Sequence, residues 1–289
     1  MHSKELGDTG LRIPEIGLGT WKYSGGAEPL LAGIDRGACF IDTAEAYETE
    51  EIVGEVIRNC RARVFVATKA LPRNFTRKGL VAAAERSLQR LRSDYIDLYQ
   101  LHWPNYTIPI GEPMGAMEEL VQSGKIRFIG VSNFSIEELA KAQAALSRFR
   151  IVTNQVRYSL IERTIEPNLL KHCQKNRITI IAYSPLGMGL ARIRAADPEG
   201  ALPRVTAAVG KTYAQVALNW CIAKDNVVAI PKASSVEHVL EDCAASGWTL
   251  PSAEAQLLED KIRFRRRGIL ESFFRRRARH ALQLIGRQM

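Results

Sequence analysis

The chain of 289 residues has no apolar run that approaches a membrane span, and its first residues, Met1 to Leu6, lack the apolar core of a signal peptide. Cysteine is scarce. Cys39, Cys60, Cys173, Cys221 and Cys243 are odd in number, widely scattered and without a C-x-x-C pair. That fits reduced thiols in a cytoplasmic setting better than a disulfide framework or a zinc site. No His or Cys pair has ligand spacing, so no metal site is expected. No G-x-G-x-x-G follows any predicted strand, and Gly17-Leu18-Gly19 is too short to count. There are no low-complexity stretches and no internal linker. The net charge of +9 is not a property of the body: ten of the 40 basic residues but one of the 31 acidic ones lie from Lys261 onward, which leaves 30 of each before it.

What the chain does have is a regular alternation. Short β-branched or apolar runs occur at Ile13–Gly19, Cys39–Ile41, Val64–Thr68, Tyr95–Leu101, Phe128–Val131, Ile151–Asn154, Ile178–Ala182 and Val227–Ile230. Helical patterns follow them, among them Leu80–Leu91, a stretch opened by a Ser135/Glu138 capping box, and Val236–Ala245. A longer connection over Met188–Leu202 precedes helical material from Val205 to Ala223. Eight strand–helix units predict a parallel sheet closed into a (β/α)₈ TIM barrel over residues 1–260; a doubly wound sheet is the alternative. Leu6 to Leu11 carries hairpin turn chemistry and is expected to cap the barrel's N-terminal mouth. Gly17 and Gly19 mark backbone that something else approaches closely.

In such barrels, active sites lie at the C-terminal ends of the strands. The residues there are Trp21, Asp42, Lys69, His102, Ser132-Asn133, Gln155, Tyr183-Ser184 and Pro231-Lys232. Each alone has a bland reading: Asp42 as a turn cap, Lys69 as a snorkelling cation, His102 as a hydrogen-bonded core residue. The fold brings them to one mouth. There Asp42 would hold Lys69 charged, and the ammonium would pull the Tyr47 phenol below its ordinary pKa of about 10. A phenol so tuned exchanges a proton with a carbonyl or alcohol oxygen, which His102 would orient. No side chain supplies a hydride; a nicotinamide cofactor does.

The motifs Gly19-Thr20-Trp21, Asp42-Thr43-Ala44 with Tyr47, Ala67-Thr68-Lys69, Leu101-His102-Trp103-Pro104, Gly130-Val131-Ser132-Asn133-Phe134, Asn154-Gln155, Ala182-Tyr183-Ser184-Pro185-Leu186-Gly187 and Ile230-Pro231-Lys232 resemble the aldo-keto reductase superfamily, in its short-loop prokaryotic form. The resemblance spans residues 6–260. It implies an NAD(P)H-dependent reductase of aldehydes and ketones, with Asp42, Tyr47, Lys69 and His102 as a catalytic tetrad and Tyr47 as general acid. It also implies that Ser132, Asn133 and Gln155 hold the nicotinamide carboxamide and that Tyr183 stacks on the ring. Gly19 and Thr20 would lie beside the ribose, and Ser184 and Leu186 along the pyrophosphate. Trp21 and Trp103, with Tyr47 and His102, would line the substrate pocket.

Lys232 stands where the family pairs a lysine with the adenosine 2′-phosphate. Beyond it the pattern departs: Ala233, His238 and Asp242 replace the usual Ser, Arg and Asn, with Glu241 alongside and Ser234 and Ser235 as substitutes. A bidentate Arg is lost. NADPH is the cofactor implied, with NADH also open.

Residues 261–289 form a basic extension, and from Phe264 onward they depart from the family pattern. On a helix, Leu270, Phe274, Ala278, Ala281, Leu282 and Ile285 share one side and most arginines lie elsewhere. Such a tail packs on the barrel, meets an anionic surface or joins a second subunit. Two other functions remain open on the residues alone: a Schiff-base lyase or aldolase using Lys69, and a cofactor-sensing binding subunit docked through the tail.

Overall fold

The computed structural model describes residues 1–265 together with Ala278. A two-stranded antiparallel hairpin, β1 (Ser3–Glu5) and β2 (Arg12–Pro14), opens the chain. The barrel then begins with β3 (Leu18–Gly19), α1 (Ala27–Asp35), β4 (Phe40–Asp42), α2 (Glu50–Ile57), β5 (Phe65–Ala70) and α3 (Arg77–Leu91). It continues through β6 (Ile96–Leu101), α4 (Gly111–Gln122), β7 (Ile126–Ser132), α5 (Ile136–Ala144), β8 (Ile151–Arg157) and α6 (Lys171–Lys175). The last quarter holds β9 (Thr179–Tyr183), α7 (Leu190–Ala195), α8 (Ala201–Val209), α9 (Tyr213–Ile222), β10 (Val227–Ile230), α10 (Val236–Cys243) and α11 (Ser252–Lys261).

Strands β3 to β10 pair in parallel, each with its sequence neighbour. The ring closes through the backbone. Gly17 N–H donates to Ala229 O and Ala229 N–H to Glu15 O, at 2.8 and 2.9 Å, and Gly19 N–H donates to Pro231 O at 2.8 Å. This is the expected (β/α)₈ barrel.

Period-two alternation along each strand sorts the side chains. Phe40, Phe65, Ala67, Leu98, Val152, Ile181, Val228 and Ile230 form one buried cluster together with Leu6 and Ile13 of the hairpin. The hairpin thus plugs the N-terminal mouth, as its turn chemistry implied. Phe40 meets Phe65 edge-on at 5.6 Å. Residues of the opposite parity, such as Ile41, Val66, Tyr99 and Leu101, belong to the larger core shared with the helices. The same alternation carries Asp42, Lys69 and Gln100 inward, one layer above the apolar plug.

Two expectations need correction. Ile13–Gly19 is not one strand: Pro14 has no N–H to continue a ladder, so Ile13 stays in the hairpin and β3 keeps two residues. Residues 188–202 are not an open connection. They hold α7 and the start of α8, where Asp197 accepts from the N–H groups of Ala201 and Leu202 at 2.8 and 2.7 Å. The helix α11, which the strand–helix count did not include, packs through Leu258. The expected amphipathic helix in the basic extension lies outside the described residues apart from Phe264, Arg265 and Ala278. Arg265 N–H donates to Ile161 O at 3.1 Å and Phe264 lies against the Arg163 guanidinium.

The glycines near closure are steric necessities. A Cβ at Gly17 would come within 2.6 Å of the Phe40 ring and 3.0 Å of its carbonyl oxygen. We expect Gly17→Ala to destabilise the protein by about 1–3 kcal/mol, the usual cost of overpacking. A urea unfolding midpoint lower than wild type, with an unchanged slope, checks it.

Candidate active site

Asp42 closes β4 and Lys69 lies near the end of β5, so both arrive inside the barrel on neighbouring strands. Lys69 is fully buried, and its Nζ donates to Asp42 Oδ1 at 2.6 Å and to Thr43 O at 2.8 Å. The other carboxylate oxygen of Asp42 accepts from Gln155 Nε2 at 2.7 Å and Gln100 Nε2 at 3.4 Å. Burial lowers the Lys69 pKa and the adjoining carboxylate opposes that fall.

Tyr47 sits on a 3₁₀ turn, Glu45–Tyr47, that leaves β4 and ends at Glu48 in the left-handed region. The turn is pinned from below. The Glu45 carboxylate accepts from Leu71 N–H and from Asn74 Nδ2, tying the loop after β4 to the loop after β5. Lys69 Nζ is 4.8 Å from the Tyr47 ring centre, and the phenol oxygen is 3.4 Å from His102 Nε2. The expected downward shift of the Tyr47 pKa does not occur. Burial raises it well above its ordinary value, and the Asp42 charge adds to the rise. Burial also brings the His102 pKa down to about 2, helped by the Lys69 charge, so the imidazole is neutral. Its ring stacks on Trp103 at 3.8 Å, and its Nδ1 is buried without a hydrogen-bond partner among the described residues.

The next strand ends complete a wall. Ser132 Oγ donates to Gln155 O at 2.9 Å, Asn133 Nδ2 to His102 O at 3.2 Å, and Tyr183 O–H to Asn133 Oδ1 at 2.9 Å. Asn133 and Ser184 both take left-handed backbone, φ 63° and 50°, a conformation that side chains other than glycine tolerate where surrounding structure imposes it.

These elements enclose a cavity of about 300 Å³, at the small end of ligand sites. Of the residues expected at the site, Gly19, Thr20, Trp21, Asp42, Tyr47, His102, Trp103, Ser132, Asn133, Gln155, Tyr183, Ser184 and Lys232 line it. Lys69 does not; it stands behind Asp42, which removes the free amine a Schiff base requires. Leu186, Ser234, His238 and Glu241 do not line this cavity either. Ser235, offered above as a substitute phosphate ligand, caps α10 by accepting from His238 N–H at 3.3 Å. Asp242 lines a separate crevice with Gly19, Pro231 and Ala233.

Arg157 lines the cavity and was not among the expected residues. The signal was present: Arg157 lies two residues beyond Gln155 on β8 and so shares its face.

The sequence model of the Aldo/keto reductase family matches residues 15–263. This chain belongs to the aldo-keto reductases. It is 38% identical to methylglyoxal reductase YeaE of Escherichia coli, over 86% of this chain and 90% of that protein. Aldo-keto reductase YhdN of Bacillus subtilis is 33% identical, over 91% and 95%. Among solved structures, an aldo-keto reductase of Klebsiella pneumoniae in complex with NADPH superposes with a TM-score of 0.84 at 38% identity, covering 92% of this chain and 98% of its own. Another from the same organism, in complex with NADP and acetate, gives 0.83 at 39% identity, with 92% and 96% covered.

Two predictions follow from the charges of this aldo-keto reductase. Asp42→Leu strands a buried ammonium on one carbonyl and should cost about 3–5 kcal/mol, whereas Asp42→Leu with Lys69→Met should recover most of that loss; urea unfolding of both variants decides it. Asp242, 5% exposed, has its pKa raised to about 7 by burial and by Glu241. A carboxyl raised in the folded state binds protons that the unfolded chain releases, so stability should fall as pH rises from 4 to 7. Asp242→Asn should therefore raise the thermal midpoint at pH 8 and leave it nearly unchanged at pH 4.

Proposed function

We propose that this aldo-keto reductase reduces aldehydes and ketones to alcohols, with hydride from NADPH and a proton from Tyr47. The observation that carries the reading is the convergence of a phenol and a neutral imidazole. Tyr47 Oη and His102 Nε2 lie 3.4 Å apart on one cavity wall, in front of a buried Asp42–Lys69 pair.

The residues present suit a nicotinamide dinucleotide. Asn133, Gln155, Ser132 and Tyr183 line the same cavity as Tyr47, residue types that suit a carboxamide and the face of a heteroaromatic ring. His102 Nδ1 is a buried polar atom without a partner among the described residues. Gly19 lines the cavity; its missing side chain serves ring closure, where a Cβ would meet Ile230 O at 2.8 Å. In this reading Gly19 and Thr20 flank the ribose, Ser184 and Leu186 the pyrophosphate, and Lys232, with Ser234, the 2′-phosphate. His238, Glu241 and Asp242 border the adenine. The relatives solved with NADP and NADPH support the phosphorylated cofactor. When bound, the cofactor supplies the hydride.

The chain's own residues do the rest. His102, neutral at any working pH, donates through Nε2 to the carbonyl oxygen and fixes its direction. Tyr47 is held in its acid form by burial and gives its proton to the same oxygen. Asp42 keeps Lys69 charged behind the phenol. Trp21 and Trp103 wall the mouth and exclude water. The names of two relatives, methylglyoxal reductase and the glyoxal reductase of Bacillus subtilis, make small 2-oxoaldehydes the first substrates to try.

Tyr47→Phe should lower kcat for methylglyoxal on the order of 10²–10⁴-fold while NADPH still quenches tryptophan fluorescence. The pH profile of wild-type kcat/KM should show no break between pH 5.5 and 7.5, because His102 carries no proton to lose there. Activity should fall only on the alkaline side, as Tyr47 deprotonates. A break near pH 6.5, or a fully active phenylalanine variant, would sink the assignment.

A further inference from the structure

Arg157 is a cation inside the cavity with no counter-charge among the described residues. It ends β8, one strand from Tyr183, with which it is in register. Its guanidinium carbon lies 5.7 Å from the Tyr183 ring centre, a contact that holds the group in place without consuming its N–H donors. Its Nε is buried and has no hydrogen-bond partner among the described residues. No carboxylate of the described residues pairs with it. The one carboxylate on the cavity wall, Asp42, is spent on Lys69, Gln155 and Gln100.

Arg157 is half-buried, and its buried Nε, without a partner among the described residues, carries a cost that a ligand oxygen would remove. The planar fork suits a carboxylate or phosphate, which it meets with two parallel bonds. The cost is met when a ligand brings the anion.

We propose that Arg157 is a specificity-determining residue that binds an anionic oxygen group, carboxylate or phosphate, on a ligand held in the cavity. The inference rests on the reductase reading for the identity of the ligands. The anion has two sources: the substrate, which would make this a reductase of carbonyl compounds bearing an acid group, or the phosphates of the dinucleotide.

The experiment compares wild type, Arg157→Met and Arg157→Lys with 4-carboxybenzaldehyde, its neutral methyl ester and NADPH. Binding of each is followed by quenching of tryptophan fluorescence, and turnover is followed at the nicotinamide absorbance. A charge-assisted pair predicts that Arg157→Met loses on the order of tenfold to a hundredfold. With a substrate source, that loss falls on the kcat/KM ratio of acid to ester, is carried in KM, and is partly restored in Arg157→Lys. With a cofactor source, it falls on the NADPH Kd and leaves the ratio alone. Added salt should weaken the same step in wild type, a reading that survives even if the methionine variant fails to fold. The proposal is overturned if neither the ratio, the acid's Kd nor the NADPH Kd moves in a folded variant, or if salt moves none of them in wild type. If wild type binds these ligands and reduces neither aldehyde, the reductase reading fails while the binding arms still judge Arg157.

Discussion

Everything at the catalytic end of this barrel depends on one buried charge pair. A lysine ammonium with no exposure at all is tolerable only with close, well-directed partners, and Lys69 has a carboxylate at 2.6 Å and a carbonyl at 2.8 Å. The carboxylate in turn needs donors on its second oxygen, and Gln100 and Gln155 provide them from β6 and β8. Four strands are thereby locked together at one height. The polar layer rests on the aromatic and aliphatic plug below it, where the hairpin residues Leu6 and Ile13 close the mouth. The cavity is the space above that layer.

Much of this was legible in the sequence because a strand has period two and a parallel barrel points its strand ends one way. Those two rules suffice to take Asp42, Lys69, His102, Ser132, Gln155 and Tyr183 from scattered positions to one place. They fail where the backbone stops being regular. β3 is two residues long, and its ring closure runs through Glu15, Gly17 and Gly19, so Ile13 only looked like part of it. The α7–α8 region was hidden because its stop and start are made by one side chain, Asp197, capping across a short bend. Arg157 was overlooked for another reason. The match to known motifs ended at Gln155, although the face of the strand did not. The adenosine end was the least legible. His238 is exposed while Asp242 is buried four residues later, a difference that helical spacing alone does not resolve.

The cavity wall carries groups of two kinds. Tyr47 and His102 are neutral and stand with a compensated buried pair. Lys232 and Arg157 are cations, one exposed and one half-buried. Neutral donors suit an oxygen on which charge develops during reaction; standing cations suit an anion that is present throughout. The division keeps the strong fields of the cations for holding the ligand. The reacting oxygen then meets groups whose charge changes only when a proton moves.

The direction of the Tyr47 shift shows why naming neighbours is not enough. Two unit charges roughly 5 Å apart, at an effective dielectric constant of about 20, interact by about 3 kcal/mol, which is about two pKa units. A free ammonium at the Lys69 position would bring the phenol down by that much. Lys69 is not free. Burial is the larger cause of the rise in the phenol's pKa, and Asp42, which sits on the lysine, adds to it. The same carboxylate that makes the buried lysine possible keeps the tyrosine protonated. In the proposed reduction, a site built this way holds its proton on Tyr47 and gives it to an oxygen that gains charge in front of it. That is the order of events a carbonyl reduction requires.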